Sequence, residues 1–126
     1  MKAVLVVALG GALGSVARFK LSGWVLHQAV NWRFPIGTFV VNVAGCLIAG
    51  VLAGMSTKHH AFSPDTRLLL FTGLLGGFTT FSAFGLETAL LIKRGEWGVA
   101  AANVFASVLV SLVALWLGFE LAEPRS

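Results

Sequence analysis

The sequence predicts an all-α integral membrane protein of four transmembrane helices, the third broken at its centre, that pairs as an antiparallel (dual-topology) homodimer. Three observations carry that expectation. Hydrophobic residues make up 57% of the 126-residue chain and charged residues 11%, with a mean hydropathy of +0.89, whereas soluble chains carry about 25% charged residues. Apolar runs recur at about 3–27, 37–57, 68–92 and 97–119, and a helix of about 20 residues crosses the roughly 30 Å hydrocarbon core. Basic residues divide almost evenly between the two membrane sides, so no orientation is preferred.

Composition also excludes some functions. A net charge of +4 and a pI near 10.0 would suit nucleic acid, but the bases stand singly or in pairs beside apolar runs, as helix-end anchors do. The single Cys46 allows no disulfide within one chain. No linker, low-complexity tract or long repeat divides residues 1–126, which read as a single four-helix transmembrane domain.

The first run follows Met1-Lys2 and could be cleaved as a signal peptide or kept as a helix. Three further spans follow it, and Gly10, Gly14 and Arg18 fall on one helix face, which favours retention. Arg18 must snorkel or find a partner. A polar link, 28–34, leads to Pro35, a residue suited to a helix start. In the second span Thr38, Asn42 and Cys46 recur in steps of four, one narrow polar stripe. Asn42 either bonds a neighbouring helix or belongs to a polar pathway. Residues 57–66 read as a loop. Its His59-His60 pair lacks a third ligand nearby and makes a metal site improbable.

The third span is organised around Gly76-Gly77-Phe78-Thr79-Thr80-Phe81-Ser82-Ala83-Phe84. Adjacent glycines and a Thr-Thr pair are poor helix formers. Inside a bilayer a broken helix survives only where it is buried or lines a cavity, and its freed carbonyls are oxygen ligands for a cation. The other reading of the stretch is a glycine-rich packing face. Glu87, further along the span, is an intramembrane carboxylate and hence a functional candidate, or a residue facing headgroups. After a tight link, 93–96, the fourth span repeats Asn103, Ser107 and Ser111 every four residues as a polar seam.

Four spans place both termini on one side with Lys2, Lys58, Arg67 and Arg125, against Arg18, Lys20, Arg33, Lys93 and Arg94 on the other. The positive-inside rule therefore selects no orientation. Two oppositely inserted copies related by a two-fold axis in the membrane plane are the expected assembly, with Gly10/Gly14, Gly50/Gly54 and Gly73/Gly77 as contact faces for the partner. A fixed orientation set by something other than charge is the alternative.

The central stretch resembles the signature of the Fluc (CrcB) fluoride channels. Gly10-Gly11-Ala12-Leu13-Gly14 through Arg18, Pro35-Ile36-Gly37-Thr38 with Asn42, Glu87, and Ser107 with Ser111 also fit, in order, over nearly the whole chain. The resemblance implies a dual-topology homodimer in a bacterial cytoplasmic (inner) membrane that exports fluoride passively. It also implies a central sodium ion that is structural and not transported. Carried over by position, it places sodium on the backbone carbonyls of Gly76 and Thr79, and pore aromatics at Phe81 and Phe84. Asn42, Ser82, Glu87, Ser107, Ser111 and Thr38 would belong to the fluoride pathway. Ala83 stands where the family commonly has a hydroxyl.

The physical chemistry is compatible with this transfer. Phe81 and Phe84, three apart on a helix, project to neighbouring positions, and positive ring edges attract a small anion less tightly than a lysine would. Conduction requires that compromise. A small multidrug/proton antiporter is the alternative, but the first span lacks the carboxylate such a protein exchanges protons through. A non-transporting subunit of a larger complex is a further reading. An enzyme is not expected, since no nucleophile, base and orienter can be placed together.

Overall fold

The computed structural model describes residues 1–28, 34–57 and 62–123. The His59-His60 pair, Lys58, Arg33, Arg125 and most of the first link lie outside the described residues. Helix α1 covers Lys2–Gln28, α2 Ile36–Met55 and α6 Trp97–Ala122. The third span, Pro64–Lys93, is composite. It begins as α3 (Pro64–Arg67), widens to a π-helix over Leu68–Leu75, tightens to α4 (Gly76–Phe78), and resumes after Thr79 and Thr80 as α5 (Phe81–Lys93). All four spans are long and apolar enough to cross a membrane, and no strand occurs among the described residues.

Helix ends follow local chemistry. Pro35 caps α2 and lies just outside its first turn. The third span starts inside the stretch 57–66 that reads as a loop, because Ser63 accepts a hydrogen bond from the Thr66 N–H and Pro64 occupies the first turn, where its missing N–H costs nothing. After α5 the chain reverses at Gly95, whose φ of 79° is open to glycine. At the terminal side, Lys2 Nζ meets Asp65 Oδ2 at 2.9 Å. This exposed pair contributes little energy but shows the start of α1 beside the start of the third span.

In a bilayer, helices gain little from apolar burial against each other, so close backbone approach and polar contacts hold them together. Two glycine seams do this here. Along α1, a methyl group built on Gly10 would stand 2.7 Å from the Leu69 carbonyl oxygen, and one on Gly77 would stand 2.5 Å from that of Gly11. Gly14 lies against the Leu74 carbonyl and the Phe78 amide. The second seam joins α2 to α6, where Gly50, Gly54 and Gly118 press on the carbonyls of Leu115, Phe119 and Leu47. The expectation that these glycine pairs serve a partner chain is therefore corrected. They are spent within the single chain, since each already touches backbone that a second chain would have to displace.

Gly118→Ala places a methyl 2.6 Å from the Leu47 carbonyl oxygen, and overpacking of this kind costs about 1–3 kcal/mol. Thermal unfolding of the purified variant should show that loss. Gly98→Ala, which meets nothing within 4 Å, should melt like the parent.

Candidate functional site

The site is built on the interruption of the third span. Thr79 (φ −88°, ψ 152°) and Thr80 (φ −149°, ψ 118°) are extended. The helical bonds that would close over them, to the carbonyls of Gly76, Gly77, Phe78 and Thr79, cannot form. The break thus lies in dihedrals and hydrogen bonds, while the axis bends only slightly. That is milder than the expected broken helix, because two extended residues offset the chain without turning it.

Side chains take over the lost bonds. The Thr80 N–H donates to Asn42 Oδ1 at 3.0 Å, and Asn42 Nδ2 donates to the Thr80 carbonyl at 3.2 Å. The Ala83 N–H donates to Thr80 Oγ1 at 3.2 Å, an N-cap for α5. Arg18 Nε donates to the Gly77 carbonyl at 3.2 Å, so Arg18 pairs within the protein. With Thr80 N–H and Ala83 N–H engaged elsewhere, the Gly76 and Thr79 carbonyls have lost their helical donors.

Two open grooves meet at this interruption and share Thr79 and Cys46. The first, about 260 Å³, is lined by Asn42, Cys46, Thr79, Thr80, Phe81, Phe84, Ser107, Val108 and Ser111. The rings of Phe81 and Phe84 stand 5.5 Å apart, tilted by 54°. On α6, Ser107 Oγ donates to Asn103 Oδ1 at 3.1 Å, while Ser111 Oγ is buried with the Cys46 thiol as its polar neighbour. Phe81 is 81% exposed. The second groove, also about 260 Å³, is lined by Gly45, Cys46, Ala49, Phe71, Leu75, Gly76 and Thr79. No cluster of three His, Cys, Asp or Glu could hold a metal among the described residues. Freed backbone oxygens suit a hard cation instead.

The structure gathers Asn42, Phe81, Phe84, Ser107 and Ser111 around the first groove and Gly76 and Thr79 around the second. Thr38 and Glu87 lie outside both and pair with each other, Thr38 Oγ1 donating to Glu87 Oε1 at 2.6 Å, with Glu87 Oε2 buried and unpartnered. Ser82 is exposed, its hydroxyl 3.1 Å from Thr80 Oγ1. The α2 stripe of Thr38, Asn42 and Cys46 thus meets Glu87, Thr80 and the grooves at successive levels.

Sequence reasoning did not assign Thr80, Cys46, Thr88 or Asn103 to the site. Asn103 is 1% exposed and donates through Nδ2 to Thr88 Oγ1 at 2.8 Å, which donates to the Phe84 carbonyl. Its place on the Asn103–Ser107–Ser111 seam was the available signal. Thr88 carried none, since its role depends on how α5 meets α6.

Asn42→Leu should leave the Thr80 N–H and carbonyl unsatisfied at about 1–3 kcal/mol each. Thermal unfolding in detergent should drop accordingly, and a melting temperature equal to the parent's would remove Asn42 as the support of the interruption.

Comparison with known proteins places this arrangement. The family model described as CrcB-like protein, Camphor Resistance (CrcB), matches residues 5–119. The chain is 59% identical over 123 residues to the fluoride-specific ion channel FluC of Methylobacillus flagellatus, covering 98% of this chain and 96% of that one. It is 44% identical to the protein of the same name from Geotalea daltonii, over 98% of both chains. To that of Opitutus terrae it is 48% identical, over 94% of this chain and 90% of the other. These matches run over nearly the full chain, and the chain belongs to the CrcB family.

Proposed function

We propose that this protein is a fluoride-selective channel of the cytoplasmic membrane, through which fluoride leaves the cell by passive electrodiffusion. The observation that carries the reading is the first groove. It is a mostly apolar groove that holds the Phe81 and Phe84 rings, is edged by the polar groups of Asn42, Ser107 and Ser111, and has no lysine or arginine lining it. The names of the relatives at up to 59% identity support fluoride as the ion. It is a channel and not an enzyme. The membrane potential, negative inside, drives the anion outward once hydrogen fluoride has entered and dissociated.

The geometry suggests how selectivity arises. Ring edges at Phe81 and Phe84 are weakly positive, and hydroxyls and amides donate to a small, strongly hydrated anion. Together they replace part of its water shell without trapping it. Asn42 is engaged with Thr80 and so acts by fixing the groove as much as by lining it. Ser107 gives its hydroxyl hydrogen to Asn103, which leaves the Ser111 hydroxyl and the second Asn42 amide hydrogen as donors to an anion in the groove. Thr38, Glu87 and Ser82 extend the polar surface beyond it, and a Glu87 that carries a proton would not repel the anion.

The second groove supports a cation role. Freed carbonyls at Gly76 and Thr79, beside Gly45, form a site that a sodium ion would fit, and the ion would neutralise the oxygens where two backbones approach. One protomer supplies only half of such a shell, and its first groove is open with Phe81 exposed. Both features favour a second copy as the partner, inserted in the opposite orientation because the basic residues give no bias.

Vesicles holding the purified protein should release fluoride and retain chloride. Equal release of both would contradict the reading. Phe81→Ile and Phe84→Ile keep apolar bulk but remove the ring edges, and each should slow fluoride release about tenfold or more, the loss expected for about 1.4 kcal/mol. Their size-exclusion profiles should match the parent's. Parental rates in both variants would make the phenylalanines packing residues.

A further inference from the structure

The brace on the other side of the interruption has a consequence for how the site is held. In α1, Gly10, Gly14 and Arg18 share one face, and the two glycines bring that face against the third span at Leu69, Leu74 and Phe78. Gly77 completes the contact against Gly11. One turn beyond Gly14, the half-buried Arg18 arrives level with Gly77, and its Nε–H reaches the Gly77 carbonyl at 3.2 Å. In an unbroken helix that carbonyl would accept from the Phe81 N–H, which the extended dihedrals of Thr79 and Thr80 carry away.

We infer that Arg18 is a positioning residue that holds the third span open at Thr79-Thr80 by capping the Gly77 carbonyl, opposite the brace supplied by Asn42. The capped carbonyl lies between those of Gly76, one residue before it, and Thr79, two residues after it. Because Gly77 is satisfied by a guanidinium, its oxygen is turned toward α1, and the chain on either side is fixed relative to that helix. The charge matters for strength, since a donor that is ionised makes a stronger bond than a neutral one. It also sets a limit. A cation at Gly76 and Thr79 would sit near a guanidinium and be repelled by it, so Arg18 acts through its hydrogen bond and not by attracting the ion.

This inference rests on the proposed cation role of Gly76 and Thr79 only for its effect on sodium, and two readouts keep the claims apart. The first is amide exchange on the full chain in lipid. The Thr80 and Ala83 amides, held by Asn42 and Thr80 Oγ1, should exchange about tenfold faster in Arg18→Met, the size expected when one charge-assisted hydrogen bond is lost. Protection along α1 and Leu68–Leu75 should be unchanged. Arg18→Lys, which restores a charged donor, should bring both amides back toward parental rates. Unchanged exchange at Thr80 and Ala83 in Arg18→Met would overturn the inference. So would uniform loosening of α1 and the whole third span, which marks lost helix packing. The second readout is fluoride release at graded sodium, with N-methylglucamine as the replacement. The sodium concentration giving half-maximal release should rise in Arg18→Met and recover in Arg18→Lys. If release from the parent ignores sodium while the two amides still loosen in Arg18→Met, the cation reading fails and the brace stands.

Discussion

Everything at the centre of this protein depends on the two-way hydrogen bond between the Asn42 side chain and the Thr80 backbone. A helix interrupted inside a bilayer has no water to satisfy what it uncovers, and each orphaned backbone group costs several kcal/mol, on the order of an unmade bond in hydrocarbon. A single carboxamide supplies one acceptor and two donors, which is what an N–H and a carbonyl of one extended residue require. Thr80 Oγ1 and Arg18 take up two more of the uncovered groups, the Ala83 N–H and the Gly77 carbonyl.

Once the interruption is held, two grooves border one backbone segment. Downstream, a new helix begins at Phe81, and its ring and that of Phe84 line a mostly apolar groove edged by Asn42, Ser107 and Ser111; upstream, Gly76 lines a second groove together with Thr79. The two grooves share Thr79 and Cys46, and no formally charged side chain lines either. The glycine seams explain why the protomer tolerates this. They fasten α1 to the first half of the third span and α2 to α6 through backbone contact, which leaves the interruption to be positioned by a rigid surround.

Much of this was legible in the sequence, and the reasons are particular. Four apolar runs gave four spans because hydropathy and length determine what crosses a bilayer. The stretch from Gly76 to Phe84 bracketed the interruption, which falls at Thr79-Thr80 while Gly76 and Gly77 stay helical, and Asn42 announced itself as an amide that must find a partner. Arg18 was read as snorkelling or pairing, and only the fold could choose, because the choice depends on Gly77 lying one turn beyond the Gly14 contact. The glycine pairs were misassigned to a partner chain. Small residues signal close approach but not against which helix. The π-helix over Leu68–Leu75 left no sequence trace, and the Ser63-Pro64 start was hidden in a polar stretch that its cap in fact organises.

Carbonyl and ring resonances of the protein in bilayers, followed by solid-state NMR during ion titration, test most directly whether one interruption serves both ions. Adding sodium should move the carbonyl signals of Gly76 and Thr79 and leave the Phe81 and Phe84 rings in place. Adding fluoride should move the ring signals and Ser111, and chloride at the same concentration should move neither. Ring signals that answer chloride and fluoride alike, or carbonyl signals indifferent to sodium, would contradict the account.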